Sequence, residues 1–169
     1  MIQLVGRLPA VLRGEGQPPS AAEGIEWAEL CRYKRLPAHS VRFYTQAFDA
    51  DARLVTSHRY RAACSAALAG CGEGEDAATV PDKARASLRQ QALEWLRADL
   101  AVGARRLEGG TPQDRAEARS ALYIWRNDPA LAGVRDPGRL AALPPGERAE
   151  WQQLWAEVAA LAAKARDGK

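Results

Sequence analysis

The chain predicts an all-α fold, and three observations carry that expectation. No alternating run of β-branched or aromatic residues extends beyond about four positions, so strands have no local signal. Gly, Pro and Asp-Pro punctuation cuts the chain into helix-length pieces. Within those pieces, apolar residues recur at every third or fourth position. At 169 residues, 47% hydrophobic and 27% charged, the composition is that of ordinary globular protein with length enough for a core.

In chain order, residues 8–13 predict a short helix ended by Gly14, with a loop over 14–19. Ser20 and Glu23 then have the spacing of a capping box, in which the serine oxygen and the glutamate carboxylate each satisfy an amide of the first turn. Ile25, Trp27, Ala28, Leu30 and Cys31 follow as the apolar side of that helix. Pro37 opens the next helix, whose stripe is Ser40, Val41, Tyr44, Ala47 and Phe48. These two helices predict a hairpin closed by the turn at Asp51 and Ala52.

Residues 58–70 form a helix dominated by Ala62, Ala63, Ala66, Ala67 and Ala69, with Leu68 as the large aliphatic among them. Small side chains on consecutive turns let a neighbouring helix approach closely. Gly70, Cys71 and Gly72 stop that helix, and the acidic, glycine-bearing stretch 72–80 reads as a flexible, enlarged turn ahead of Pro81. A long helix over 82–107 follows, with Leu88, Ala92, Trp95, Leu96, Leu100 and Leu107 as its stripe and Gly109-Gly110 closing it. Thr111 and Pro112 open a helix that turns Ala118, Ala121, Leu122 and Trp125 inward. In the connector after it, Asp128 and Asp136, each before a proline, predict caps for two short turns. The helix over 145–165 has the most regular period: Trp151, Leu154, Trp155, Val158, Leu161 and Ala165 on one face, with Glu147, Arg148, Glu150, Gln153, Glu157 and Lys164 outside it.

The residues that could do chemistry do not assemble into a motif. A formal charge of +3, with basic residues interleaved among acids, gives no concentrated face for nucleic acid. No run approaches the roughly 18 to 20 apolar residues that span a bilayer, and the opening segment lacks the pattern of a signal peptide. The expectation is therefore a cytoplasmic chain with neither a nucleic-acid nor a membrane partner. Cys31, Cys64 and Cys71 read as buried thiols, and Cys64 and Cys71 stand about 10 Å apart along a helix axis, too far to bridge. With two histidines in the chain, His39 and His58, no metal site is expected. Neither histidine has a serine, cysteine or carboxylate at a spacing that would orient it as a base. Glu94, Asp99 and Glu108 read as solvated partners of Arg97, Arg105 or Arg106. Trp125, Trp151 and Trp155 read as core. No cofactor fingerprint is present: Gly72-Glu73-Gly74 follows no strand.

The spacing Ser40, Tyr44, Ala47, then Asp51-Ala52 resembles the second helix of a tetratricopeptide repeat, and Tyr60, Ala62, Ala63 and Gly70 resemble the first helix of another. Ala52 stands where that repeat usually has proline, and Gly24 stands where it is usually large. The pattern LxxWxxDxxLAGVRDxxxLxxLPxxERxxWxxLW over 122–155 resembles the carboxy-terminal region that follows such repeats in serine/threonine protein kinases of planctomycete bacteria. Residues 8–72 resemble the stretch ahead of it in the same proteins. The resemblance implies tetratricopeptide-like antiparallel hairpins stacked as an α-α superhelix. It divides the chain into a leading segment at 1–19, hairpins at 20–110 and a helical cap at 111–169. The chain carries no kinase phosphate loop, His-Arg-Asp or Asp-Phe-Gly motif, so the expected role is a noncatalytic scaffold for a protein or peptide partner in signalling. A regulatory or dimerising kinase tail, or a small enzyme with an unfamiliar site, are the alternatives. In stacked hairpins the first helix of each unit lines the concave face, which nominates Glu29, Arg32, Tyr60 and Arg61 as partner-binding.

Overall fold

The computed structural model describes residues 2–16, 18 and 20–167, with backbone alone for residues 2–5 and 167. Among the described residues every regular element is helical, as the sequence predicts. The α-helices are α1 (Ile2–Leu12), α2 (Ala21–Tyr33), α3 (Pro37–Ala50), α4 (Val55–Gly70), α5 (Asp82–Gly109), α6 (Pro112–Asn127), α7 (Pro137–Leu140) and α8 (Pro145–Asp167). Short 3-10 turns occupy Ala52–Leu54 and Pro129–Val134. No helix among the described residues is long and apolar enough to cross a membrane. The chain divides into two units, Met1–Ala92 and Leu93–Lys169.

In the first unit, α2 and α3 run antiparallel: Gly24 lies against Ala47, and the Ser40 hydroxyl donates to the Ala28 carbonyl at 2.9 Å. A Cβ at Gly24 would stand 3.2 Å from the Ala47 Cβ, so a larger residue there would require Ala47 to yield by a few tenths of an ångström. Trp27, Ala28, Cys31, Phe43 and Tyr44 fill the space between them. Helix α4 packs on α3 through Ala62, Ala63, Ala66 and Ala67, and its Ser65 hydroxyl meets Ser40 at 3.0 Å in the buried seam. Its C-terminus then touches α5. A Cβ on Gly70 would lie 2.5 Å from Arg89 Cγ and 3.0 Å from the Arg85 carbonyl oxygen.

Three helices of this unit end in the same left-handed turn. At α1 the Glu15 amide donates to Ala10 and the Gly14 amide to Val11; at α2 Leu36 donates to Cys31 and Arg35 to Arg32; at α4 Glu73 donates to Leu68 and Gly72 to Ala69. The residue that carries positive φ is Gly14 (85°), Arg35 (59°) and Gly72 (75°) respectively. Glycine meets no Cβ penalty there, whereas Arg35 does.

The second unit is built on Leu93, Leu96 and Leu100 of α5, Ala118, Leu122 and Trp125 of α6, and Trp151, Leu154 and Val158 of α8, all buried. The turn Pro129–Val134 and α7 add Leu131, Val134 and Leu140. Trp155 is half-buried and its Nε1 donates to the Val134 carbonyl at 2.7 Å.

Several expectations need correction. Helix α1 starts at Ile2, well before residue 8, and carries Pro9 in its interior, where the ring removes an amide donor from the ladder. In the loop after it, Gln17 and Pro19 lie outside the described residues, as do Gly168 and Lys169 in the tail. Ser20 caps α2 by accepting from the Glu23 amide, but the Glu23 carboxylate accepts from Trp27 Nε1 (3.2 Å) and Arg7 (3.0 Å), a different use from the reciprocal bond expected of it. Burying an indole N–H without an acceptor is costly, and Glu23 is one turn away. Asp128 does cap its turn through the Ala130 amide, whereas Asp136 makes no side-chain cap and instead accepts from Arg135 at 3.2 Å. Ala121 is exposed, and Leu93, absent from the expected stripe, is fully buried.

Candidate functional site

Helical spacing sets Glu29 and Arg32 one turn apart on α2, so their side chains meet on its surface. Arg32 donates from Nε (3.1 Å) and Nη2 (3.0 Å) to Glu29 Oε2. The other carboxylate oxygen, Oε1, accepts from Tyr44 of α3 (2.6 Å) and from Arg61 of α4 (2.9 Å). One carboxylate thus ties three helices together. Of the four nominated residues, Glu29, Arg32 and Arg61 converge here, while Tyr60 is half-buried on α4 next to Arg61. Tyr44 belongs to the expected apolar stripe of α3, and its hydroxyl completes the cluster. A phenol standing four residues after Ser40 gives no warning of a carboxylate fifteen residues earlier in the chain.

The electrostatics follow from that geometry. Partial burial pushes the Glu29 carboxyl up, but the bonds from Tyr44, Arg61 and Arg32 together outweigh it and hold the group below its ordinary value. Burial first, and the bond to Glu29 second, lift the Tyr44 phenol well above its usual range. The Glu29 bond also raises the Arg61 guanidinium. The side chains of Arg32 and Arg61 keep 46% and 55% of their surface open, and Tyr33 beside Arg32 is 81% exposed.

A second cluster overturns two expectations. The stretch 72–80 is ordered by long-range bonds: the Glu75 amide donates to the Arg35 carbonyl (2.9 Å), and Gly74 lies directly against the Pro37 ring. Asp76 accepts from the Ala38 amide (3.2 Å), the His39 amide (2.9 Å) and His39 Nδ1 (2.7 Å). Helix α3 has no cap of its own at Leu36, so this carboxylate supplies one from outside the helix. His39 therefore does have an orienting carboxylate, one that no local spacing could reveal.

The same cluster raises the nearby thiol. Burial, and then the Asp76 charge, push Cys31 up to about 12, the reverse of what activates a sulfur nucleophile. Among the described residues no group of three or more His, Cys, Asp or Glu could hold a metal ion. Arg97 and Arg106 reach Glu150 of α8 (3.9 Å) and Glu117 of α6 (3.7 Å), acids outside their own helix. Trp125 and Trp151 are buried, as is Trp27, while Trp95 is half-buried. In the second unit a recess of about 330 Å³ is lined by Arg135, Pro137, Leu140, Arg148, Gln152 and Trp155, a mainly apolar lining that includes two arginines.

No protein-family model matches the chain, no curated protein matches it, and no solved structure matches it.

Proposed function

We infer that the chain is a noncatalytic interaction module that binds an acidic protein or peptide segment through the surface shared by α2 and α4. What supports the reading is the Glu29 cluster. A single carboxylate holds two partly exposed arginines in place, and an exposed phenol ring stands next to Arg32 in the chain at Tyr33. Arginines already fixed in position lose less freedom on binding, and arginine with tyrosine is the combination that most often anchors a partner. One negative and two positive groups leave the cluster cationic, which favours an acidic segment. The resemblance to the carboxy-terminal regions of planctomycete kinases makes cytoplasmic signalling the setting we put forward, with tetratricopeptide-like stacking as its framework.

The test is a peptide array spanning acidic, neutral and basic sequences, read with the full chain and with an Arg32→Glu/Arg61→Glu variant. Acidic peptides should be retained by the wild-type chain and lose at least tenfold in affinity with the variant, while its far-UV spectrum is unchanged. Binding that ignores peptide charge or survives the double substitution rules the surface out. Turnover of a substrate by the purified chain would rule out the noncatalytic role.

A further inference from the structure

A second, smaller recess of the Leu93–Lys169 unit gathers cations from two helices. Its volume is about 100 Å³, and Leu107, Leu161 and Ala165 give it a mainly apolar lining. Arg115 and Arg119 of α6, one helical turn apart, complete the walls with Lys164 of α8 and a single acid, Glu108. Arg119 and Lys164 are exposed and Arg115 is half-buried, so the recess is open to a solute. Each arginine is already tied down at one nitrogen. Arg115 Nη1 donates to the Gly110 carbonyl (2.5 Å) and Arg119 Nη1 to the Ala165 carbonyl (3.3 Å), which locates both side chains against the ends of α5 and α8. A guanidinium carries five N–H donors, so four on each remain for another acceptor. Among the described residues Lys164 has no ion pair, and Glu108 pairs with none of the three cations. The lining thus holds three positive charges against one negative.

We propose that this recess binds a phosphate group through Arg115, Arg119 and Lys164. Charge, shape and size identify the occupant. A phosphate monoester carries a charge of about −1.5 to −2 at pH 7 and three strong acceptor oxygens, which answers the excess of positive charge, whereas a carboxylate answers only half of it. Its oxygens point in three dimensions and accept from cations that arrive from two helices at once. A planar carboxylate is best matched by a single arginine fork. The recess admits the group alone, because pockets that enclose a whole small-molecule ligand begin at about 300 Å³. Whatever carries the phosphate therefore stands outside, and the carrier is either a small phosphate ester or a phosphorylated side chain of another protein. The apolar part of the lining offers water no competing bonds and strengthens each charge pair. The site is separate from the Glu29 cluster and does not rest on it.

Amide chemical shifts of the full chain test it, followed by NMR as inorganic phosphate is raised to about 20 mM at constant pH and ionic strength. Saturable shifts should appear around Gly110, Arg115, Arg119 and Ala165, and acetate should bind there at least about threefold more weakly. Lys164→Gln leaves both arginine bonds to the backbone in place and should weaken phosphate at least about threefold, while Lys164→Arg should keep most of the affinity. A neutral peptide bearing one phosphoserine, compared with its unphosphorylated form, separates the two carriers. Binding tighter than that of inorganic phosphate makes the carrier a protein, and binding no tighter makes it a small ester. Shifts that do not saturate, that acetate reproduces at equal concentration, or that Lys164→Gln leaves unchanged would overturn the site. None of these results bears on the α2 and α4 surface, whose Arg32→Glu/Arg61→Glu variant should bind phosphate here as the wild type does.

Discussion

Arg35 holds its backbone at φ 59°, where a Cβ crowds the following carbonyl, although it is otherwise an exposed side chain. Arg35→Gly removes that strain and adds back some freedom to the unfolded chain, so a net gain of up to about 1 kcal/mol is expected in urea unfolding. Arg35→Val should lose more than about 1 kcal/mol, because a β-branched residue tolerates this region least. Glu29 makes a second prediction at this scale. Its folded-state value is lowered, so the ionised carboxyl contributes stability above its unfolded value, about 4.3, and that contribution fades as pH falls through the folded one. Glu29→Gln should therefore melt lower than wild type at pH 7, with the gap narrowing as pH falls below about 4.3. A gap that is constant across that range would show that the cluster is not linked to protonation. The cluster was only partly legible in the sequence. Periodicity put Glu29, Arg32 and Arg61 on outward faces, but which of them touch depends on how α2 and α4 meet across α3.

At the scale of elements, the regular stripes were the most readable features. All of Ser40, Val41, Tyr44, Ala47 and Phe48 are buried on α3, and Phe43, outside that stripe, is buried as well because α3 packs against both α2 and α4. Helix α5 misled because Leu93, Trp95 and Leu96 crowd more than one face, so period alone could not say which would be covered. Alanine is nearly neutral, which is why Ala121 could be assigned inward and yet stand in solvent. The approach of α4 to α5 yields a prediction against helix propensity. Gly70→Ala should stabilise an isolated helix, yet here its Cβ would strike Arg89 backbone nitrogen at 2.9 Å as well as the side chain. A loss of about 1 to 3 kcal/mol is expected, and a neutral result would mean that the two helices separate at little cost. Asp76→Ala should cost a similar 1 to 3 kcal/mol, since it strips the cap of α3 and leaves a place that is only 8% open to water. Its signature is faster hydrogen exchange at the Glu75 amide, with Asp76→Asn intermediate.

For the whole molecule, the fold class was legible and the ordering of residues 72–80 was not. Glycines and acids there advertise a loose turn, and local composition is all that a window of sequence can weigh. What holds the turn lies 37 and 38 positions back, at His39 and Ala38. That separation has a consequence for how the polypeptide is made. On the ribosome, the start of α3 is released long before the aspartate that will complete it, so the nascent hairpin must wait with bare amides until the later stretch emerges. A chain stalled just short of Asp76 would carry an unfinished hairpin, and release of only a few more residues would lock it.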